Sequence, residues 1–102
     1  MASVMGINKI GLPKLSENMD PEDARALRSY LYQLQEQLQR ISRAYPAIPS
    51  ITPDGVYGNR TKEAVQKFQS VFGLPVTGVV DFPTWYKISD IYVAVSRIAE
   101  LR

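Results

Sequence analysis

Between residues 24 and 45 apolar side chains return at alternating intervals of three and four: Ala24, Leu27, Leu31, Leu34, Leu38, Ile41 and Tyr45. That period lines one face of an α-helix. The helix has a start signal in Asp20-Pro21-Glu22-Asp23. Asp20 can accept from free backbone N–H groups, Pro21 suits the first helical position, and Glu22 and Asp23 oppose the positive end of the dipole. Pro46 stops it, so one helix is expected over 21–44, roughly 35 Å long at about 1.5 Å per residue. A second face, Thr61, Ala64, Val65, Phe68 and Phe72, ends at Gly73, a natural C-terminal stop. A third, Trp85, Ile88, Ile91, Val95 and Ile98, follows Asp81 as cap and Pro83 in the first turn.

The segments between these faces are less periodic. Tyr45 to Pro53 carries Pro46, Pro49 and Pro53 and reads as a stiff extended loop. Ile51-Thr52 and Val79-Val80 are β-branched and are expected to form a short extended pair. Residues 1–19 show no helical period and read as an irregular arm that could lie against a surface, leaving 20–102 as the domain.

A short pattern is written twice. Asp54-Gly55-Val56-Tyr57-Gly58-Asn59-Arg60-Thr61 returns as Thr77-Gly78-Val79-Val80-Asp81-Phe82-Pro83-Thr84, displaced by 23 residues. The same displacement carries Val65 onto Ile88, Phe68 onto Ile91 and Phe72 onto Val95. Each copy is a glycine turn, a helix start and an apolar face, and neither copy can bury that face alone. The fold class expected is therefore all-α: a three-helix bundle on a repeated turn-helix unit. Phe68, Val65, Leu38, Leu34 and Ile88 are its expected core. Gly55, Gly58 and Gly78 are expected to give positive φ or close backbone approach at the turns. Thr61 and Thr84, three residues into their helices, are expected to tie turn to helix.

Composition narrows the chemistry. The 12 basic and 10 acidic residues are interleaved, so no basic stripe forms and nucleic acid is not an expected partner. The chain has no cysteine and no histidine. Disulfides, thiolate metal sites and the commonest general base are thereby excluded, and no metal or cofactor is expected. The carboxylates Glu17, Asp20, Glu22 and Asp23 cluster at one helix start, where capping accounts for them. Asp54 and Asp81 are the only loop pair, each with turn or capping work, so no glycosidase pair is assembled and no catalytic residue is expected. No apolar run approaches the roughly 20 residues of a membrane span. Gly6, Asn8, Lys9 and Gly11 interrupt the first 15 residues, which do not read as a secretory signal.

The ordered string Asp54-Gly55-Val56-Tyr57-Gly58-x-x-Thr61-x-x-Ala64-Val65-x-x-Phe68-Gln69 resembles the three-helix peptidoglycan-binding domain of bacterial and phage cell-wall hydrolases. Leu34-Gln35-x-x-Leu38-x-x-Ile41 before it, and Gly73-Leu74 and Thr77-Gly78-Val79-x-Asp81-x-x-Thr84 after it, extend the resemblance over residues 28–92. The proline-rich loop and the Thr77–Asp81 turn look like versions from Clostridia-type bacteria. Residues 7–38, especially Leu27 to Leu34, faintly resemble small prophage tail-associated proteins. Against that family core the first and third helices are extended.

The resemblance implies a non-catalytic module that binds peptidoglycan in a shallow groove, placed in the cell wall or outside the cell. The chain would then be an excised domain or a phage-type component. Candidate ligand contacts are Asp54, Tyr57, Asn59, Arg60, Gln69 and Trp85. Each has a structural alternative: Asp54 as turn former, Tyr57 as rim packing, Trp85 as cover for the third helix's first turn. Gln69 and its counterpart Gln35 either brace the groove or bond a loop. Asn59 and Arg60 start the second helix, where an Arg can reach a muropeptide carboxylate. A second function class is an assembly subunit of a phage-tail-like or cell-surface complex. Its warrant is the surplus helix: run antiparallel, Ala24, Leu27 and Leu31 would face Val95, Ile98 and Leu101 in a protruding hairpin prone to self-association.

Overall fold

The computed structural model describes residues 13–100, with side chains described as far as residue 97. Four helices follow one another: α1 Pro21–Ala26, α2 Arg28–Ala44, α3 Asn59–Val71 and α4 Phe82–Glu100. No strand occurs among the described residues, and α1 with α2 makes one arm of a three-helix bundle. Asp20 caps α1 as expected, its Oδ1 accepting from Asp23 N at 2.8 Å. The expected single helix over 21–44 is broken at Leu27, where φ is −101° and ψ 14°. No glycine or proline marks that break, so its local sequence carries no signal for it.

Each helix buries one face. In α2 the buried set is Leu31, Leu34, Gln35, Leu38, Ile41 and Ser42; in α3 it is Thr61, Ala64, Val65, Phe68 and Gln69. Trp85, Ile88 and Val95 complete the core from α4. The proline-rich loop is nailed down by Ile48 and Ile51, both buried. At the far end Tyr45 meets Phe72 edge-on, ring centroids 5.0 Å apart, and Phe72 leans on Phe68 at 4.6 Å. Gly73 ends α3 at φ +73°, with Leu74 N donating to Gln69 O at 2.8 Å and Gly73 N directed at Ser70 O.

The helices run in the same direction, which corrects the antiparallel hairpin. Gln35, in the second turn of α2, reaches Thr61 in the first turn of α3, while Tyr45 and Phe72 meet just beyond the ends of the two helices. Arg40, late in α2, donates to Val95 O, late in α4, at 3.3 Å. A parallel course sends the α1 extension and the α4 extension to opposite ends of the bundle. Leu31 and Val95 are core residues and Leu27 packs against the core. Leu101 and the side chain of Ile98 lie outside the described residues.

The stretch 13–19 is built into this unit. Leu15 is fully buried and forms an antiparallel bridge with Val80, the two N–H···O bonds measuring 3.0 and 2.8 Å. Val80 therefore pairs with Leu15 and not with the Ile51-Thr52 segment, whose Ile51 side chain goes into the core. Trp85 Nε1 donates to Pro13 O at 2.6 Å, and Lys62 Nζ holds Glu17 Oε1 at 2.9 Å. Residues 13–19 thus act as a strap across α3 and α4.

Phe68 lies at 0% exposure in the centre of this core. Phe68→Ala removes its packing and leaves a cavity, and should lower unfolding free energy by about 3–5 kcal/mol in chemical denaturation.

Candidate functional site

The two glycine turns are held by one device used twice. Gln35 extends from α2 beneath the first turn, only 1% exposed. Its Oε1 accepts from Asp54 N at 3.0 Å and Gly55 N at 2.8 Å. Its Nε2 faces Asp54 Oδ1, Val56 O and Thr61 Oγ1, all at 3.0 Å. Gln69 extends from α3 beneath the second turn and repeats the set. Its Oε1 accepts from Thr77 N at 2.9 Å and Gly78 N at 3.0 Å. Its Nε2 faces Thr77 Oγ1, Val79 O and Thr84 Oγ1 at 3.2, 3.0 and 3.1 Å. A primary amide offers two donors and an acceptor with two lone pairs, which fits a turn that exposes two N–H groups and one C=O.

Glycine is required where the turn bends back. Gly55 has φ +76° and Gly78 φ +75°, a region that disfavours other residues. Gly55 does a second job, since a Cβ there would stand 3.0 Å from Arg28 Nε and 3.1 Å from Arg28 Cγ. The Arg28 side chain therefore lies along the turn, its Nη2 3.4 Å from Asp54 O. Gly58 differs from expectation: its φ is −98°, and nothing lies within 4 Å of where a Cβ would sit.

The two turns are exposed to different degrees, since only Thr77 and Pro83 are exposed in the second. In the second, Val80 is fully buried under the strap and Val79 and Phe82 are half-buried. In the first, Val56 is 57% exposed and Asn59 and Arg60 are exposed. A hollow of about 260 Å³ opens here, lined by Asp54, Val56, Asn59, Arg60 and Thr61 with Ile51, Thr52 and Gly58. On the other side of Val56 a second hollow of about 300 Å³ lies between the strap and α1, floored by Gly55 and Tyr57.

The candidate residues thus divide. Asp54, Asn59 and Arg60 come together around one hollow. Asp54 is also the turn former expected, its Oδ1 accepting from Val56 N at 2.9 Å. Tyr57 is 8% exposed, borders the other hollow, and donates its hydroxyl to Gly78 O at 2.6 Å, so it joins the two turns. Burial pushes its phenol above the ordinary range, and the nearby Glu17 carboxylate adds to the effect. Gln69 and Trp85 are 1% and 0% exposed with their polar atoms engaged inside the fold, so neither presents a surface. Val56, Arg25 and Arg28 were not among the sequence candidates. Val56 had a usable signal, an apolar side chain between two residues of a tight turn.

A sequence model of the peptidoglycan binding domain family matches residues 22–88. The chain belongs to that family. Comparison with curated proteins and with solved structures gave no match. The peptidoglycan binding domain match takes in both braced turns and both glutamines, and leaves the strap outside it. Among the described residues no helix is long and apolar enough to cross a membrane.

Gln35→Met keeps the volume of the side chain but strips the amide, stranding the N–H groups of Asp54 and Gly55 and the carbonyl of Val56. Each buried group left without a partner costs about 1–3 kcal/mol, and water reaches part of this turn. The variant should therefore lose about 2–4 kcal/mol in urea unfolding.

Proposed function

We propose that the turn at residues 54–60 contacts cell-wall polymer and that the chain binds peptidoglycan without cleaving it. The observation that carries this reading is the asymmetry between the two turns. Both have their internal polar groups satisfied by a buried glutamine, yet the first carries the more exposed set, Asp54, Val56, Asn59 and Arg60, and gathers it around a hollow. The equivalent places in the second turn hold Phe82 and Pro83 in place of Asn59 and Arg60. Peptidoglycan offers chemistry that matches the first turn. Its amino sugars carry acetamido groups whose methyls suit Val56 and whose amides suit Asn59, and its stem peptides carry carboxylates that suit the Arg60 guanidinium.

The use of the loop carboxylates supports binding over hydrolysis in this reading. Asp54 accepts from Val56 N and Gln35 Nε2, and Asp81 Oδ1 accepts from Thr84 N at 3.4 Å. A retaining or inverting glycosidase needs two carboxyl groups facing each other across the scissile bond. Here one sits in each turn, tied to its own backbone. The hollow is shallow and the ligand well hydrated, so affinity per site should be weak and gain from several copies facing one wall. The cell wall is the location this reading implies. The assembly alternative loses its main support, since the parallel course separates the two extensions that were to form a protruding hairpin.

Purified sacculi provide the test. The chain should co-sediment with them at low salt and release no soluble muropeptides, and Asn59→Ala with Arg60→Gln should lower the bound fraction at least fivefold. Failure of the unaltered chain to co-sediment, or full binding by the double variant, would contradict the assignment of this turn.

A further inference from the structure

The hollow beside Asn59 and Arg60 is one of a connected series. It shares Val56 with the hollow between strap and α1. That second hollow shares Arg25 and Arg28 with a broader, shallow depression of about 510 Å³, whose other lining residues are Ala26, Ser29 and Tyr32. Tyr32 is 44% exposed there. A linear polymer needs a continuous strip more than one deep pocket, and this strip crosses the molecule from α3 over the first turn to α2.

The middle of the strip is cationic. Among the described residues the one ion pair is Lys62 with Glu17. Glu17 borders the second hollow, but Lys62 already compensates its charge. Asp20 is occupied as the cap of α1, and Glu22 and Asp23 line neither depression. Arg25 and Arg28 are therefore left without a carboxylate partner among the described residues. Arg28 is also held in place: Gly55 lets it lie along the turn, and the Asp54 carbonyl takes one of its N–H groups. A guanidinium fixed in this way keeps further donors in a planar fork, the geometry that receives a carboxylate.

We propose that Arg25 and Arg28 form a carboxylate subsite that takes the acidic peptide stem of the wall polymer while the glycan lies against Val56 and Asn59. This rests on the peptidoglycan reading above. The subsite has one wall from the strap, through Ser16, Glu17 and Met19, and so lies partly outside the residues that define the family match. The strap thereby has two consequences: it closes the second turn and it shapes a pocket beside the first.

The experiment compares the unaltered chain with Arg25→Gln/Arg28→Gln on three probes: peptide-bearing soluble muropeptides, the same muropeptides with their carboxyl groups amidated, and peptide-free glycan. The unaltered chain should bind the first probe at least tenfold more tightly than the second, with an advantage that shrinks as salt rises. The double variant should lose most of that preference, keeping only the share that Arg60 supplies, and keep its affinity for peptide-free glycan, which also shows that it is folded. Equal affinity of the unaltered chain for native and amidated muropeptides would overturn the subsite, as would a preference undiminished in the double variant. Binding of none of the three probes by the unaltered chain would instead overturn the peptidoglycan reading, and the subsite with it.

Discussion

The exposed first turn depends on a side-chain amide that is itself buried. Gln35 takes two backbone N–H groups of the first turn on its oxygen and offers its nitrogen to a carboxylate, a carbonyl and a hydroxyl. A turn of this shape turns polar groups inward, and burying them without partners would cost several kcal/mol. With the amide in place the turn is internally complete. Asn59, Arg60 and the valine ridge are then free to point outward from a rigid base. Gln69 repeats the arrangement so closely that the two turns are one solution used twice, and Tyr57 fastens one turn to the other through the Gly78 carbonyl.

Duplication explains the fold and the strap explains the asymmetry. Two braced turns would present two similar surfaces. Leu15, pairing with Val80, and Pro13, accepting from Trp85, cover part of the second and draw Val80 into the core. The side of the strap that faces α1 leaves space above Gly55, where the Arg28 side chain lies. Both turns fall within the residues that match the peptidoglycan binding domain family, whereas the strap lies outside them.

Helix faces were readable from the chain because burial imposes a period. Leu31, Leu34, Leu38 and Ile41 are core, as are Val65, Phe68 and Ile88. Local signals with a local mechanism were equally readable: Asp20 and Asp81 as caps, Gly73 as a stop, Asp54 as a turn former. What failed to show was non-local. A period names the buried side of a helix but is silent on the direction of its neighbour, so the parallel course was missed. Leu15 is one apolar residue in an unpatterned stretch, and one bridge leaves no period. A glutamine inside an apolar stripe reads equally as brace or ligand contact until its partners are seen. Trp85 looks like an available aromatic only while the carbonyl of Pro13 is unknown. Arg25 and Arg28 carry no local signal, because the glycine that seats one of them lies 27 residues further along.

Chemical-shift mapping with soluble muropeptides tests the central claim most directly, since it reads both braced turns at once. The backbone amides of Val56, Asn59 and Arg60 should move on titration, together with those around Arg28, while those of Gly78, Val79 and Val80 stay still. Shifts confined to the second turn or to the outer face of α4, or none at saturating muropeptide, would contradict a surface built on the Gln35 brace.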